Sequence, residues 1–262
     1  MTSTIEIPTP HGPARAHLRP VGEARGLLVL GHGAGGGVEA RDLLTVAGVA
    51  QEIGISVALV EQPYRVLGRR SPAPARQLDA AWIAVVEHLL ASTLVARAGA
   101  GAGAGASAGA GASAGPGASA GAGPGAGAAA AAASGSRAAA ANAGSAHFPL
   151  IVGGRSSGAR VACRTAEATG AAGVLCLAFP LQPPTRRGAS EPPPSRLGEL
   201  DAVTVPTLIV QGVRDRFGMP PSAANRTVVT VAGDHSLRAD QPKIGSSARA
   251  WLEQTLAVAP AT

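Results

Sequence analysis

The stretch PLIVGGRSSGARVA, residues 149–162, joins a short apolar strand to a segment with helical spacing. At its centre, GRSSG (154–158) matches G-x-S-x-G, a pattern that places a serine on a sharp strand-to-helix turn. The same pattern occurs three more times as GASAG, around Ser107, Ser113 and Ser119. Only Ser156 follows an apolar strand and precedes a helix, so Ser156 is the candidate nucleophile and the other three are rejected.

Outward from this turn, apolar strands alternate with amphipathic helical segments. The pattern predicts strands at 4–7, 16–19, 26–30, 55–60, 149–152, 173–178, 207–211 and 226–231, and helices at 40–53, 77–92, 159–167 and 247–256. Continuous apolar strands in repeated βα units indicate a parallel sheet covered by helices on both faces. The first two strands alternate in polarity, which favours an antiparallel hairpin. We therefore predict an α/β fold with a mostly parallel doubly wound sheet, an N-terminal antiparallel hairpin and no large cap domain.

Residues 98–146 differ sharply in composition from the rest of the chain. They hold 25 Ala, 14 Gly and 6 Ser among 49 positions, with Arg137 as the only charge. Such small side chains bury too little surface to form a core, so we expect a disordered low-complexity insert. Residues 1–97 and 147–262 suffice for a single domain. Because the insert leads from a helix into a strand, we expect it at the edge of the sheet opposite to the ligand-binding edge.

Charge and composition argue against several classes of function. The net charge is +6, but the 22 basic residues are scattered and aromatic residues make up 2%, so no nucleic-acid partner is expected. The chain starts without a basic segment followed by an apolar one, and residues 98–133 lack the large apolar side chains of a membrane span. A cytoplasmic location without membrane association is therefore expected. No Cys/His cluster has the spacing of a zinc site, and we expect neither a metal nor another cofactor.

A serine nucleophile needs a base, and the base needs a carboxylate that orients it. His235 is the only histidine after Ser156, and it follows the strand predicted at 226–231. Two carboxylates compete for the third place. Asp215 follows the strand at 207–211, whereas Asp234 adjoins His235 in sequence and would have difficulty reaching its Nδ1 atom. We therefore favour Asp215 over Asp234.

The glycine-rich stretch GHGAGGG, residues 31–37, directly follows the strand at 26–30. In acyl-transfer enzymes, a loop at this position supplies one backbone N–H to the oxyanion hole, and the residue after the nucleophile supplies another. The candidates here are Ala34 or Gly33 from the loop, together with Ser157. We expect His32 to orient this loop rather than to take part in catalysis.

The same loop also satisfies G-x-G-x-x-G, the pattern of dinucleotide-binding proteins. Glu61 ends the next strand, roughly where such proteins carry a ribose-binding acid. However, that fingerprint requires a helix to open within the motif, and here the helix begins only near Ala40. The dinucleotide alternative also leaves Ser156, Asp215 and His235 unexplained, and we do not favour it.

Taken together, six segments resemble a small α/β-hydrolase subfamily. They are GHGAGGG, QPYRVLGRRSPAP, IVGGRSSGARVACR, LAFPLQPP, VPTLIVQGVRDRFG and GDHSL. Bacterial members of this subfamily are described as dienelactone-hydrolase-like, and its eukaryotic relatives include a regulatory subunit of the chromatin NSL complex. The resemblance covers nearly the whole chain outside 98–146, and it implies a triad of Ser156, Asp215 and His235. LAFPLQPP departs from the subfamily pattern at Gln182, where a histidine is usual, on a loop at the substrate side.

Four side chains in the loop after the strand at 55–60 are further candidates for the substrate side: Tyr64, Arg65, Arg69 and Arg70. This loop is expected at the same edge of the sheet as Ser156. The arginines could favour a substrate bearing a carboxylate or phosphate. The alternative is that they pair with nearby acids or face water.

These features predict a serine hydrolase that cleaves a small soluble ester or related acyl substrate through an acyl-enzyme. The only material for a lid is the short proline-rich segment 180–198, which favours small soluble esters over long-chain lipids. The alternative is a non-catalytic interaction or regulatory protein on the same scaffold, because fold does not guarantee activity.

Overall fold

The structure, a computed structural model, describes residues 2–104, 148–184, 191 and 193–258. Its strands are β1 (Ser3–Ile7), β2 (Ala14–Arg19), β3 (Gly26–Gly31), β4 (Ile55–Glu61), β5 (Leu150–Arg155), β6 (Gly173–Leu177), β7 (Thr207–Gly212) and β8 (Arg226–Val231). Its helices are α1 (Arg41–Glu52), α2 (Pro63–Val66), α3 (Ala75–Ala104), α4 (Ser157–Thr165), α5 (Leu197–Asp201) and α6 (Gln241–Val258).

The strands form one sheet in the order β1-β2-β4-β3-β5-β6-β7-β8. Strands β3 to β8 run parallel to one another. Strand β2 pairs with β4 in the antiparallel sense, and β1 pairs with β2 in the same way. The predicted fold class is therefore confirmed, including the N-terminal hairpin, and none of the described segments forms a separate cap domain.

The core has two layers, one on each face of the sheet, and successive residues of a strand contribute to opposite layers. In β3, Leu27 and Val29 face the layer covered by α3 and α4. Leu28 and Leu30 face the layer covered by α1 and α6. All six residues of β3 are buried, which explains why its sequence is continuously apolar instead of alternating.

The boundaries of the helices differ most from the prediction; α6 begins at Gln241, six residues before the predicted start at 247. Helix α3 continues to Ala104, so residues 98–104 of the predicted insert 98–146 belong to it. The rest of that predicted insert lies outside the described residues. Helices α2 and α5 were not predicted, because four and five residues are too few to show a helical period. Helix α2 begins at Pro63, a residue favoured at the first helical position.

The parallel strands all end at one edge of the sheet, and the loops that follow them carry the candidate site. Strand β5 begins at Leu150 on the opposite edge, and Ser156 follows its carboxyl end. Across the described ranges, no helix is long and apolar enough to cross a membrane.

Candidate active site

Ser156 lies on the turn between β5 and α4. Its backbone has φ of 53° and ψ of −106°, a region that residues with a side chain rarely occupy. Two backbone hydrogen bonds hold this conformation: Ser156 N–H donates to the Leu177 carbonyl at 2.9 Å, and Arg160 N–H donates to the Ser156 carbonyl at 3.2 Å. The sharp turn presents the Ser156 hydroxyl at the carboxyl edge of the sheet.

The two glycines of the G-x-S-x-G pattern pack directly against the end of β3. A Cβ atom on Gly154 would lie 2.4 Å from the Gly31 carbonyl oxygen. A Cβ atom on Gly158 would lie 2.4 Å from the same oxygen and 2.9 Å from the His32 carbonyl oxygen. Glycine at both positions therefore allows α4 to approach β3 closely enough to bring Ser156 beside the loop that follows β3.

This packing predicts that Gly158→Ala destabilises the protein. The added methyl group would meet backbone atoms of Gly31, which have little room to move, so we expect a loss of about 3 kcal/mol in the free energy of unfolding. The matched control is Gly48→Ala in α1, where a Cβ would meet nothing within 4 Å and helix propensity should add about 1 kcal/mol. Urea unfolding of both variants measures the two effects; equal stability would contradict the packing argument.

His235 lies between Ser156 and Asp215. Its Nε2 atom is 2.9 Å from the Ser156 Oγ atom, and its Nδ1 atom is 2.8 Å from Asp215 Oδ2. Because a carboxylate only accepts hydrogen bonds, Nδ1 carries the proton and Nε2 is left as the acceptor for the serine hydroxyl. The three residues singled out in the sequence are thus brought into one hydrogen-bonded chain, although they come from three different loops.

The side chain of Asp215 is fully buried and accepts hydrogen bonds from two further groups. Gln211 Nε2 donates to Oδ2 at 2.9 Å, and Phe217 N–H donates to Oδ1 at 2.9 Å. The Phe217 ring also contacts the His235 imidazole edge to face, with 4.5 Å between the ring centroids. Gln211 and Phe217 were not predicted as part of the site. The only feature of the sequence that could have indicated them is that Gln211, in β7, and Phe217, in the loop after it, lie close to Asp215 along the chain.

Asp234, the competing carboxylate, lies in an exposed turn and is engaged locally. Its Oδ1 atom accepts hydrogen bonds from Ser236 N–H at 2.9 Å and from Ser236 Oγ at 2.5 Å. These hydrogen bonds hold the pKa of Asp234 below its ordinary value. The imidazole Nδ1 of His235 is directed to Asp215 instead.

The loop after β3 passes directly over Ser156. A Cβ atom on Gly33 would lie 3.6 Å from Ser156 Cβ and 3.1 Å from a guanidinium nitrogen of Arg155. The next residue, Ala34, is held by its carbonyl oxygen, which accepts a hydrogen bond from the Tyr64 hydroxyl at 3.2 Å. Ser157 is the first residue of α4, so its N–H has no acceptor within the helix. Of the candidate oxyanion-hole residues, Gly33 thus lies beside Ser156, and Ser157 is its neighbour in sequence.

His32 is buried beneath this loop and orients it. Gln62 N–H donates to His32 Nε2 at 3.2 Å, which places the ring proton on Nδ1, and Nδ1 donates to the Gly33 carbonyl oxygen at 2.8 Å. Burial lowers the pKa of His32 below its ordinary value of 6.5; the hydrogen bond to Gly33 opposes this, and the charge of Arg65 adds to it. The ring is therefore neutral when the protein is folded at neutral pH.

The depressed pKa of His32 predicts a pH-dependent stability. Above pH 6.5 the histidine is neutral in both states and contributes nothing to the pH dependence. Below pH 6.5 the unfolded chain binds a proton that the folded protein does not, so stability falls by up to about 1.4 kcal/mol per pH unit. In His32→Gln this contribution is absent. Urea unfolding of both proteins between about pH 5 and pH 8 should show the wild type losing stability relative to the variant on acidification; a constant difference would contradict this.

The remaining predicted residues lie around the same edge of the sheet. Tyr64 is buried, with its hydroxyl directed to Ala34 as described, whereas Arg69 and Arg70 are exposed. Tyr64, Arg69 and Arg70 share the lining of a cavity of about 480 Å³. Gln182 lies beside the Asp215 loop, where its backbone N–H donates to the Phe217 carbonyl at 2.7 Å.

In the described part of the chain, no group of three or more His, Cys, Asp or Glu side chains could hold a metal ion.

Comparison with known proteins identifies the family. Residues 129–260, half of the chain, match the family model of the alpha/beta hydrolase domain, and the chain belongs to this family. No curated protein sequence matches the chain. The structure is similar to XC6422 from Xanthomonas campestris, described as an α/β serine hydrolase without a lid, with a TM-score of 0.60 and 14% identity over 99% of this chain and 97% of that one.

Two further solved structures have the same fold. Est1E from Butyrivibrio proteoclasticus has a TM-score of 0.61 and 14% identity, over 97% of this chain and 99% of that chain. A dienelactone hydrolase from Anabaena variabilis has a TM-score of 0.59 and 12% identity, over 97% of both chains. At such low identity, the similarity establishes the α/β-hydrolase fold.

Proposed function

We propose that this protein is a serine hydrolase that cleaves carboxylic-ester or related acyl bonds of small soluble substrates through an acyl-enzyme. The observation that carries the proposal is the continuous hydrogen-bonded chain from Ser156 Oγ through His235 to the buried carboxylate of Asp215, with links of 2.9 and 2.8 Å. The base is within hydrogen-bonding distance of both the nucleophile and the acid that orients it, as acyl transfer requires.

In the first half-reaction, His235 Nε2 takes the proton of Ser156 as Oγ attacks the substrate carbonyl carbon. Asp215 keeps the Nδ1 proton directed toward itself and stabilises the imidazolium that forms. The Ser157 N–H, together with that of Ala34 or Gly33, donates to the developing oxyanion. The imidazolium then protonates the leaving alcohol, the carbon–oxygen bond breaks, and the acyl group remains on Ser156.

In the second half-reaction, a water molecule takes the place of the leaving alcohol. His235 removes a proton from this water as its oxygen attacks the acyl carbon, and the same backbone N–H groups stabilise the second tetrahedral intermediate. Collapse of that intermediate returns the proton to Ser156 Oγ and releases the carboxylic acid. Every proton transfer passes through His235 Nε2. Both half-reactions therefore require the tautomer in which Asp215 holds the proton on Nδ1.

Pre-steady-state hydrolysis of p-nitrophenyl acetate tests this proposal. An acyl-enzyme that is hydrolysed more slowly than it forms releases a burst of p-nitrophenol equal to the concentration of active sites. We expect a burst with the wild type and none with Ser156→Ala. If the folded wild type releases p-nitrophenol no faster than Ser156→Ala across a panel of short acyl esters, the proposal fails and a non-catalytic scaffold is favoured.

We further propose that the arginines of the loop after β4 favour substrates that carry a carboxylate or phosphate. Arg69 and Arg70 are exposed, lie on the loop that also carries Tyr64, and make no ion pair among the described residues. A guanidinium near an anionic substrate group would provide charge-assisted hydrogen bonds.

The corresponding prediction compares matched neutral and anionic esters. In Arg69→Ala we expect kcat/KM to fall about tenfold for the anionic ester, because one charge-assisted hydrogen bond is lost, and to change less than about twofold for the neutral ester. Arg249→Ala, on α6 and paired with Glu52, is the control that removes the same charge elsewhere. An equal loss on both esters in Arg69→Ala would contradict selectivity for anions.

A further inference from the structure

Arg155, the residue immediately before Ser156, connects two separate segments through hydrogen bonds of its guanidinium and lies beside a third. Nε donates to Asp42 Oδ2 at 2.9 Å, and one terminal nitrogen donates to the backbone carbonyl of His235 at 2.8 Å. The other terminal nitrogen lies 3.1 Å from the position that a Cβ on Gly33 would occupy. Arg155 therefore forms hydrogen bonds with α1 and with the loop of the imidazole, and its guanidinium lies beside Gly33 in the loop over the serine.

Asp42 fixes the guanidinium from the other side. Its side chain is 1% exposed, in the first turn of α1, and its second oxygen accepts a hydrogen bond from Leu43 N–H at 3.0 Å. Burial raises the pKa of Asp42, while the charge of Arg155 opposes this shift. A buried carboxylate with one charged partner restricts the directions in which that partner can point.

Apart from the imidazole–serine hydrogen bond, the loop that carries His235 is joined to the turn of Ser156 by the contact with Arg155. Its other backbone hydrogen bonds within the described residues are local or lead to the β7 loop, such as Arg214 N–H to the Gly233 carbonyl at 2.9 Å. The bond from Arg155 instead joins the His235 backbone to the residue adjacent to Ser156. The separation of His235 from Ser156 is thus set through the backbone as well as through the imidazole.

We propose that Arg155, held by Asp42, is a positioning residue that fixes the backbone of His235 relative to Ser156 and Gly33. This inference rests on the proposed function, because it concerns the base of the same site. A lysine cannot take over the role: its single nitrogen cannot reach Asp42 and His235 in the fixed geometry of a planar guanidinium. In this role Arg155 acts through the backbone of His235.

The test removes the hydrogen bond between Arg155 and the His235 carbonyl without leaving a buried charge unpaired. Arg155→Met alone would strand the Asp42 carboxylate and destabilise the protein for that reason. The double variant Asp42→Asn/Arg155→Met removes both charges. Its control is Asp79→Asn/Arg164→Met at the far end of α4, with Arg164–Asp79 contacts of 2.9 and 2.6 Å. Arg164 is exposed to nearly the same degree as Arg155, 19% against 16%, although Asp79, at 22%, is less buried than Asp42.

Two measurements are made on both double variants. Ester hydrolysis should show kcat lowered by about 10²-fold in Asp42→Asn/Arg155→Met with KM nearly unchanged, because a displacement of about 1 Å in the base costs about that much. Proton NMR should show the downfield signal of the hydrogen-bonded His235 Nδ1 proton lost or broadened in that variant. The control should retain both kcat and the signal.

The outcomes separate this inference from the proposed function. If kcat and the downfield signal of Asp42→Asn/Arg155→Met match those of the control while the wild type hydrolyses esters, the positioning role is overturned and the proposed function stands. If the wild type hydrolyses no ester, the proposed function fails, and the NMR comparison alone decides on the positioning role. Loss of the signal only in Asp42→Asn/Arg155→Met supports that role, and retention of the signal in both double variants overturns it.

Discussion

Ser156→Ala should lower kcat for ester hydrolysis by about 10⁴-fold or more, because the reaction loses its nucleophile and with it the acyl-enzyme. The oxyanion-hole groups and the His235–Asp215 pair remain, so a small residual rate above that of water is expected. The substitution deletes one oxygen atom and leaves the backbone hydrogen bonds of the turn in place. Steady-state kinetics on a short acyl ester, with thermal unfolding as a check on folding, measures this effect.

The low-complexity segment supplies a control for this prediction. Ser107, Ser113 and Ser119 each lie in a G-x-S-x-G match, and all three fall outside the described residues. Replacing these three serines by alanine should leave kcat unchanged, since the sequence predicts no strand before any of them. If the triple variant lost activity while Ser156→Ala retained it, the choice of nucleophile would be wrong.

The second large effect is expected for Asp215→Asn, which should lower kcat by about 10⁴-fold. Phe217 N–H donates to one oxygen of Asp215, and both Gln211 Nε2 and His235 Nδ1 approach the other. An asparagine can keep its oxygen toward Phe217 only by turning its NH₂ group toward His235. The imidazole then carries its proton on Nε2, facing Ser156, and can no longer act as the base.

Asp234→Asn is the matched control, because it removes the competing carboxylate, which is adjacent to His235 in sequence. Asp234 interacts with Ser236 and lies in an exposed turn, so kcat should stay within about threefold of the wild type. Measuring both variants with one ester decides between the two carboxylates. A large loss in Asp234→Asn with little change in Asp215→Asn would reverse the assignment of the acid.

Much of the fold could be predicted from local patterns. Continuous apolar runs such as 26–30 and 207–211 correspond to strands buried on both faces, and the alternating first segments form the antiparallel hairpin. The ends of elements were less predictable. Helix α3 continues into the alanine-rich segment, where no apolar period marks a boundary, and α2 is too short to have one.

The residues of the candidate site could be predicted from the sequence, but the contacts that support them could not. Ser156, Asp215 and His235 could be selected because each follows a predicted strand, and parallel strands end at one edge of a sheet. The supporting contacts were not foreseeable. Arg155 bonds Asp42 across 113 positions and His235 across 80, and such contacts depend on loop conformations that leave no periodic signal.

The most direct test of the central claim is the reaction of the protein with a fluorophosphonate, followed by mass spectrometry of the intact chain and of its peptides. A serine activated by a histidine displaces fluoride and keeps the phosphonyl group, whereas ordinary serines do not react. We predict one phosphonyl group per chain, located on Ser156, and none on Ser156→Ala. Absence of any adduct on the folded wild type, or an adduct on another serine, would contradict the account.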